Sequence, residues 1–102
     1  MTFCEGHVCH GGELPFVFNS VNKTAAIRFT PVENELADQM STAWAAFGAT
    51  GNPNVPGASV QWPLHNSTAA LEYVFQTNRS KVVSHDRASW CNLWDELGYR
   101  FN

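Results

Sequence analysis

Basic residues are scarce in this chain. Six Lys and Arg stand against nine Asp and Glu among 102 residues, a formal net charge of −3. They are scattered, so no basic stripe exists for phosphates, and no nucleic-acid partner is expected. Apolar runs are short as well. None approaches the roughly 20 residues that a membrane-spanning helix needs. No charged n-region and apolar h-region follow Met1, so no signal peptide is expected in this chain. No repeat, heptad or low-complexity block is visible. Cysteine is limited to three residues, so one stays unpaired if a single disulfide forms.

What is present is a heavy apolar fraction. Hydrophobic residues make up 44% of the chain and charged residues 15%, with seven Phe and four Trp. That is enough for a core, with little margin at this length. Three N-glycosylation sequons occur, at Asn22-Lys23-Thr24, Asn66-Ser67-Thr68 and Asn78-Arg79-Ser80. They point towards an exported protein.

The chain opens on a loop with Cys4, Cys9, His7, His10 and the Gly11-Gly12 pair, which suits an irregular turn. Glu13 to Phe18 then reads as a short buried segment. Thr30-Pro31-Val32-Glu33 has the form of a capping box with Pro at the first helical position. A helix over about 31–47 follows, with Val32, Leu36, Met40, Ala43, Trp44 and Phe47 at steps of three and four. Gly48, Gly51 and Asn52-Pro53 are its stop signals. Residues 51–69 read as a long loop punctuated by Gly and Pro, with Trp62 as its anchor. Leu71 to Phe75 reads as a strand. A terminal helix over about 85–97 carries Ala88, Cys91, Trp94 and Leu97 at helical spacing, with Trp90 on the same face. The inventory is two helices, one or two short strands and long loops. It is poor for a closed domain, because a lone strand pair is marginal in water.

The densest chemical cluster is Cys4-Glu5-Gly6-His7-Val8-Cys9-His10. Cys and His are good zinc ligands, but structural sites usually draw on two separated pairs. His65, His85 and Cys91 stand alone. A Cys-x-x-Cys-His run attaches haem, and here the spacing is stretched to Cys4-x-x-x-x-Cys9-His10, with Met40 or Met1 as the sixth ligand. Zinc and haem are minor readings, and neither a metal nor a cofactor is expected. The third reading makes His10 a catalytic base.

Cys9-His10-Gly11-Gly12-Glu13-Leu14-Pro15-Phe16-Val17-Phe18 resembles the catalytic-histidine loop of the type-B carboxylesterases, the family that includes the cholinesterases. The family pattern is His-Gly-x-Glu-Leu followed by an aromatic-Val-Phe run. Further along, Trp44-Ala45-Ala46-Phe47, Thr50-Gly51-Asn52-Pro53-Asn54, Trp62-Pro63 and Cys91-Asn92-Leu93-Trp94 are similar to family motifs, in order and over about the whole chain.

The resemblance implies an α/β class, as the C-terminal part of an α/β-hydrolase fold, with residues 4–18 as the catalytic-histidine loop. It implies ester hydrolysis through an acyl-enzyme, with a triad in the chain order Ser, acid, His. His10 would take the serine proton and return it to the leaving alcohol. Imidazole suits this role because it exchanges protons near neutral pH. The nucleophile and acid are absent from the sequence. Gly57-Ala58-Ser59 lacks the closing Gly of Gly-x-Ser-x-Gly, and Glu5 lies too close to His10. The expectation is therefore an incomplete domain, inactive alone, whose partners are an ester substrate and the missing N-terminal part. Secretion of the parent belongs to the same implication. Cys4 and Cys9 could form a short-loop disulfide beside His10, with Cys91 then free or, as family members often have it, paired with a cysteine upstream in the parent; in a reducing compartment all three would be thiols. Without the resemblance, His7, His65 and His85 read as surface residues and Glu13 as a brace for the loop. Trp44, Phe47, Trp62, Trp90 and Trp94 read as packing. The competing class is a non-enzymatic interaction module built on the same surface.

Overall fold

The computed structural model describes residues 6–21 and 28–98. Met1, Cys4, Glu5 and Asn22 lie outside the described residues, as does the start of the loop expected over 4–18. In chain order the elements are α1 (Leu14–Val17), α2 (Pro31–Thr50), β1 (Leu71–Val74), β2 (Lys81–Ser84) and α3 (Ala88–Leu97).

The 20-residue helix α2 is the longest element, and its start is set locally. The Glu33 amide donates to Thr30 Oγ1 at 3.3 Å. The Thr30 amide donates to Glu33 Oε2 at 2.7 Å. These reciprocal bonds satisfy two amides that a helix start otherwise leaves open. The helix runs to Thr50, beyond the expected end near 47, and passes through Gly48. A mid-helix Gly costs about 1 kcal/mol relative to Ala, which is too little to stop a capped helix. The stop comes at Gly51, whose φ of +76° turns the chain out of the helix while its amide reaches the Phe47 carbonyl at 2.8 Å.

Glu13 to Phe18 departs from the buried segment expected of it. Residues Leu14–Val17 form a single helical turn, and the large flanking side chains stay out, with Phe18 72% exposed. One turn presents too narrow a face to bury every apolar residue in the run. Phe16 is the one that finds a ring partner, stacking on Phe29 at 4.4 Å. Asn19, with φ +47°, ends the turn.

β1 and β2 pair antiparallel, with Leu71 opposite Ser84 and Tyr73 opposite Val82. The expected strand over 71–75 is thus present as β1. Its partner carries only Val82 and Val83 as sequence signal. α3 begins later than expected, at Ala88, because His85 and Arg87 both take φ +54°. That left-handed backbone cannot enter a helix.

Among the described residues the buried apolar ones are few: Val21, Leu36, Ala37 and Met40. A second cluster adjoins them. Trp62 lies 6.0 Å from Trp44, 5.3 Å from Tyr73 and 5.5 Å from Phe75, centroid to centroid. Asn54 pins the Trp62 backbone from both sides, accepting from its amide at 2.6 Å and donating to its carbonyl at 2.9 Å. The expected anchor of the long loop is confirmed. The expected packing of Phe47, Trp90 and Trp94 is not found among the described residues. Trp90 is 68% and Trp94 57% exposed, and Phe47 is also exposed. A short two-stranded sheet offers too little surface to cover them.

Two substitutions separate the local and tertiary contributions. Thr30→Ala should lower stability by about 1 kcal/mol through the lost cap. Trp62→Ala should cost about 3 kcal/mol by emptying the aromatic cluster. Urea denaturation followed by tryptophan fluorescence and circular dichroism measures both, and an equal effect would contradict this division.

Candidate functional site

His10 sits at the tip of a compact turn. The Gly12 amide donates to the Cys9 carbonyl at 3.0 Å, and the Leu14 amide donates to the Gly11 carbonyl at 3.2 Å. Gly11 holds φ +74°, a conformation that side chains resist. A Cβ on Gly12 would come within 3.1 Å of the Cys9 carbonyl oxygen. The two glycines therefore serve different needs: one for backbone sign, the other for close approach. Together they present the His10 imidazole outward, exposed to solvent.

The turn is tied down behind His10. The Glu13 carbonyl accepts from the Phe16 and Val17 amides at 3.0 and 2.9 Å. The expected brace thus comes from the Glu13 main chain; its side chain makes no capping bond at the helix start. Beyond α1, Asn19 Nδ2 donates to Asp38 Oδ1 at 2.7 Å, which links the turn to α2. No spacing rule in the sequence connects these two residues across the intervening segment. Asn54, which fixes Trp62, was legible only as part of a turn motif.

The other candidates lie elsewhere. Ser59 is exposed in the long loop, after Gly57, with no strand before it. It edges a recess of about 370 Å³ shared with Asp38, Trp62, Tyr73 and Phe75, which His10 does not line. A neighbouring groove of about 710 Å³ runs past Trp44, Phe47, Trp62 and Leu64, again without His10. Glu13, Leu14 and Val17 border a shallow depression against Ser41 and Trp44 on α2. His7, His65 and His85 are exposed, as expected. His65 Nδ1 bonds the Leu71 carbonyl at 3.1 Å, as its donor, since a carbonyl can only accept. Met40 is buried in the α2 core and is committed to packing. Among the described residues no three His, Cys, Asp or Glu side chains converge on a point.

The site thus holds an exposed imidazole, apart from the recess that Ser59 edges. A model of the carboxylesterase family matches residues 5–94, which includes the whole His10 turn. The chain belongs to the carboxylesterase family. It is 33% identical over 88 residues to a cholinesterase of Mus musculus, covering 85% of this chain and 14% of that protein. It is 31% identical over 95 residues to an acetylcholinesterase of Electrophorus electricus, covering 88% of this chain and 15% of that protein. With a cocaine esterase of Homo sapiens the identity is 47% over 74 residues, covering 72% of this chain and 12% of that protein. The chain therefore spans only a small fraction of these relatives' lengths. The family match ends at Trp94, so most of α3 falls within it.

The geometry makes Gly11 the sensitive position of the turn. Gly11→Ala should cost about 1–2 kcal/mol locally, because its φ lies in the left-handed region. Faster hydrogen exchange at the Leu14 amide would register the loosened turn, and unchanged exchange would show that the φ is not required.

Proposed function

We propose that this chain is the C-terminal portion of a serine carboxylesterase with an α/β-hydrolase fold, and that His10 is the histidine of its triad. The observation that carries this reading is the His10 turn. It lies inside the family match and is held by Gly11, Gly12 and the Glu13 carbonyl so that the imidazole projects into open space. A general base must meet its serine from a rigid support, and this turn supplies one.

In this reading His10 accepts the proton from the serine hydroxyl as that oxygen attacks the ester carbonyl. It then delivers the proton to the departing alcohol, leaving an acyl-enzyme. Water repeats the cycle and releases the acid. The serine, the triad acid and the oxyanion hole come from the part of the domain that this chain lacks. The exposed apolar residues Phe47, Trp90 and Trp94 support the same division, since they match a surface made to be covered. The reading also includes secretion of the parent, glycosylation and a Cys4–Cys9 disulfide. Cys91 is exposed on α3. No helix is long and apolar enough to cross a membrane among the described residues.

The chain alone should hydrolyse p-nitrophenyl acetate no faster than free imidazole at equal concentration. Turnover well above that control, abolished by a serine-directed organophosphate, would sink the fragment reading. Joined to the remainder of its hydrolase domain, the chain should restore turnover. His10→Ala should then lower kcat by ~10⁴-fold or more, with the bound ester affinity little changed. Full activity in that variant would remove His10 from the triad.

A further inference from the structure

The three sequons are chemically alike, but two of them sit in different surroundings among the described residues. Asn66, Ser67 and Thr68 are all exposed. Asn66 Oδ1 accepts from the Thr68 amide at 3.1 Å and from the Ala69 amide at 2.7 Å. Two donors on one oxygen fix which end of the amide is oxygen. They also leave Nδ2, the atom that would carry a sugar, to solvent. An N-linked glycan keeps the Asn carbonyl intact, so both bonds survive modification.

The second sequon is built differently. Asn78 is exposed, but its partner hydroxyl is not. Ser80 is 4% exposed, and its Oγ bonds Gln39 Oε1 on α2 at 3.4 Å. The bend between the strands is braced as well, with Gln76 Nε2 donating to the Arg79 carbonyl at 2.6 Å. The acceptor signal requires Asn and the hydroxyl two residues on. With Ser80, just before β2, buried and bonded to Gln39 of α2, half of that signal is hidden.

We infer that Asn66 is an N-glycosylation site open in the folded chain, and that Asn78 is closed by the burial of Ser80. The donor is a lipid-linked oligosaccharide diphosphate. Asn66 Nδ2 loses one proton and forms a bond to the sugar C1, while the C1–oxygen bond to diphosphate breaks and the lipid diphosphate leaves. The assignment relies on the proposed function only for export of the chain. The folded-state chemistry is independent of any esterase activity.

The test uses the purified folded chain, a eukaryotic oligosaccharyltransferase and a lipid-linked oligosaccharide. Peptides spanning 62–72 and 74–84 serve as unfolded controls, in conditions where both are glycosylated. Intact mass and peptide mapping should show glycan on Asn66 at a rate near that of its peptide. Asn78 should be slower than its own peptide by on the order of tenfold or more, because Ser80 is reached only through local opening. Asn66→Gln should abolish the added mass assigned to that site. Modification of Asn78 at its peptide's rate, or a folded chain in which Asn66 stays bare, would overturn the inference. Neither result bears on whether His10 is catalytic.

Discussion

The contact on which the rest of this structure depends is the fixing of Trp62 by Asn54. Both bonds involve the Trp62 main chain, so the indole is placed by backbone geometry before its ring partners are considered. The ring then meets Trp44 from α2 and Tyr73 and Phe75 at the first strand. Trp44 and Phe75 close the set at 5.7 Å. Trp62 is therefore one of the contacts that join the long helix to the hairpin, beside the Trp44–Phe75 pair and the Ser80–Gln39 bond. Without it the hairpin, marginal as a lone strand pair, would be held to the helix by those two contacts.

The His10 turn depends on a different support. Its glycines and main-chain bonds are local, and its link to the rest of the chain is the Asn19–Asp38 bond together with the Phe16–Phe29 stack. The turn thus leans on α2, the same helix that carries Trp44. The capped helix is the common platform for the presented histidine on one side and the aromatic cluster on the other. In the proposed function, a rigid element of this kind is what His10 needs, with its nucleophile supplied from elsewhere in the domain.

Local chemistry was legible because its partners are close in sequence. The capping box at Thr30 and Glu33 and the left-handed glycine at Gly51 are three- and four-residue relations. So is the Gly11-Gly12 turn that presents His10. The same logic failed where a signal had two outcomes. Gly48 read as a stop but is tolerated inside a capped helix. Leu14 to Phe18 read as buried, yet a single turn cannot cover both of its faces. The start of α3 was placed too early, since nothing in Ser84 to Arg87 announces two residues with positive φ.

By itself the sequence determined the chain's long helix, its loop, its first strand, the glycine turn around His10 and the family to which these motifs belong. Each rests on backbone preferences or hydrogen bonds spanning a few residues. The tertiary structure decided which aromatic side chains find partners, which stay exposed on α3, and that Asn19 reaches Asp38. It also decided that Ser80 is buried against Gln39 while Thr68 is not. These outcomes depend on which surfaces the chain brings together and on how little sheet it has to cover its apolar faces. No periodicity or spacing encodes that balance.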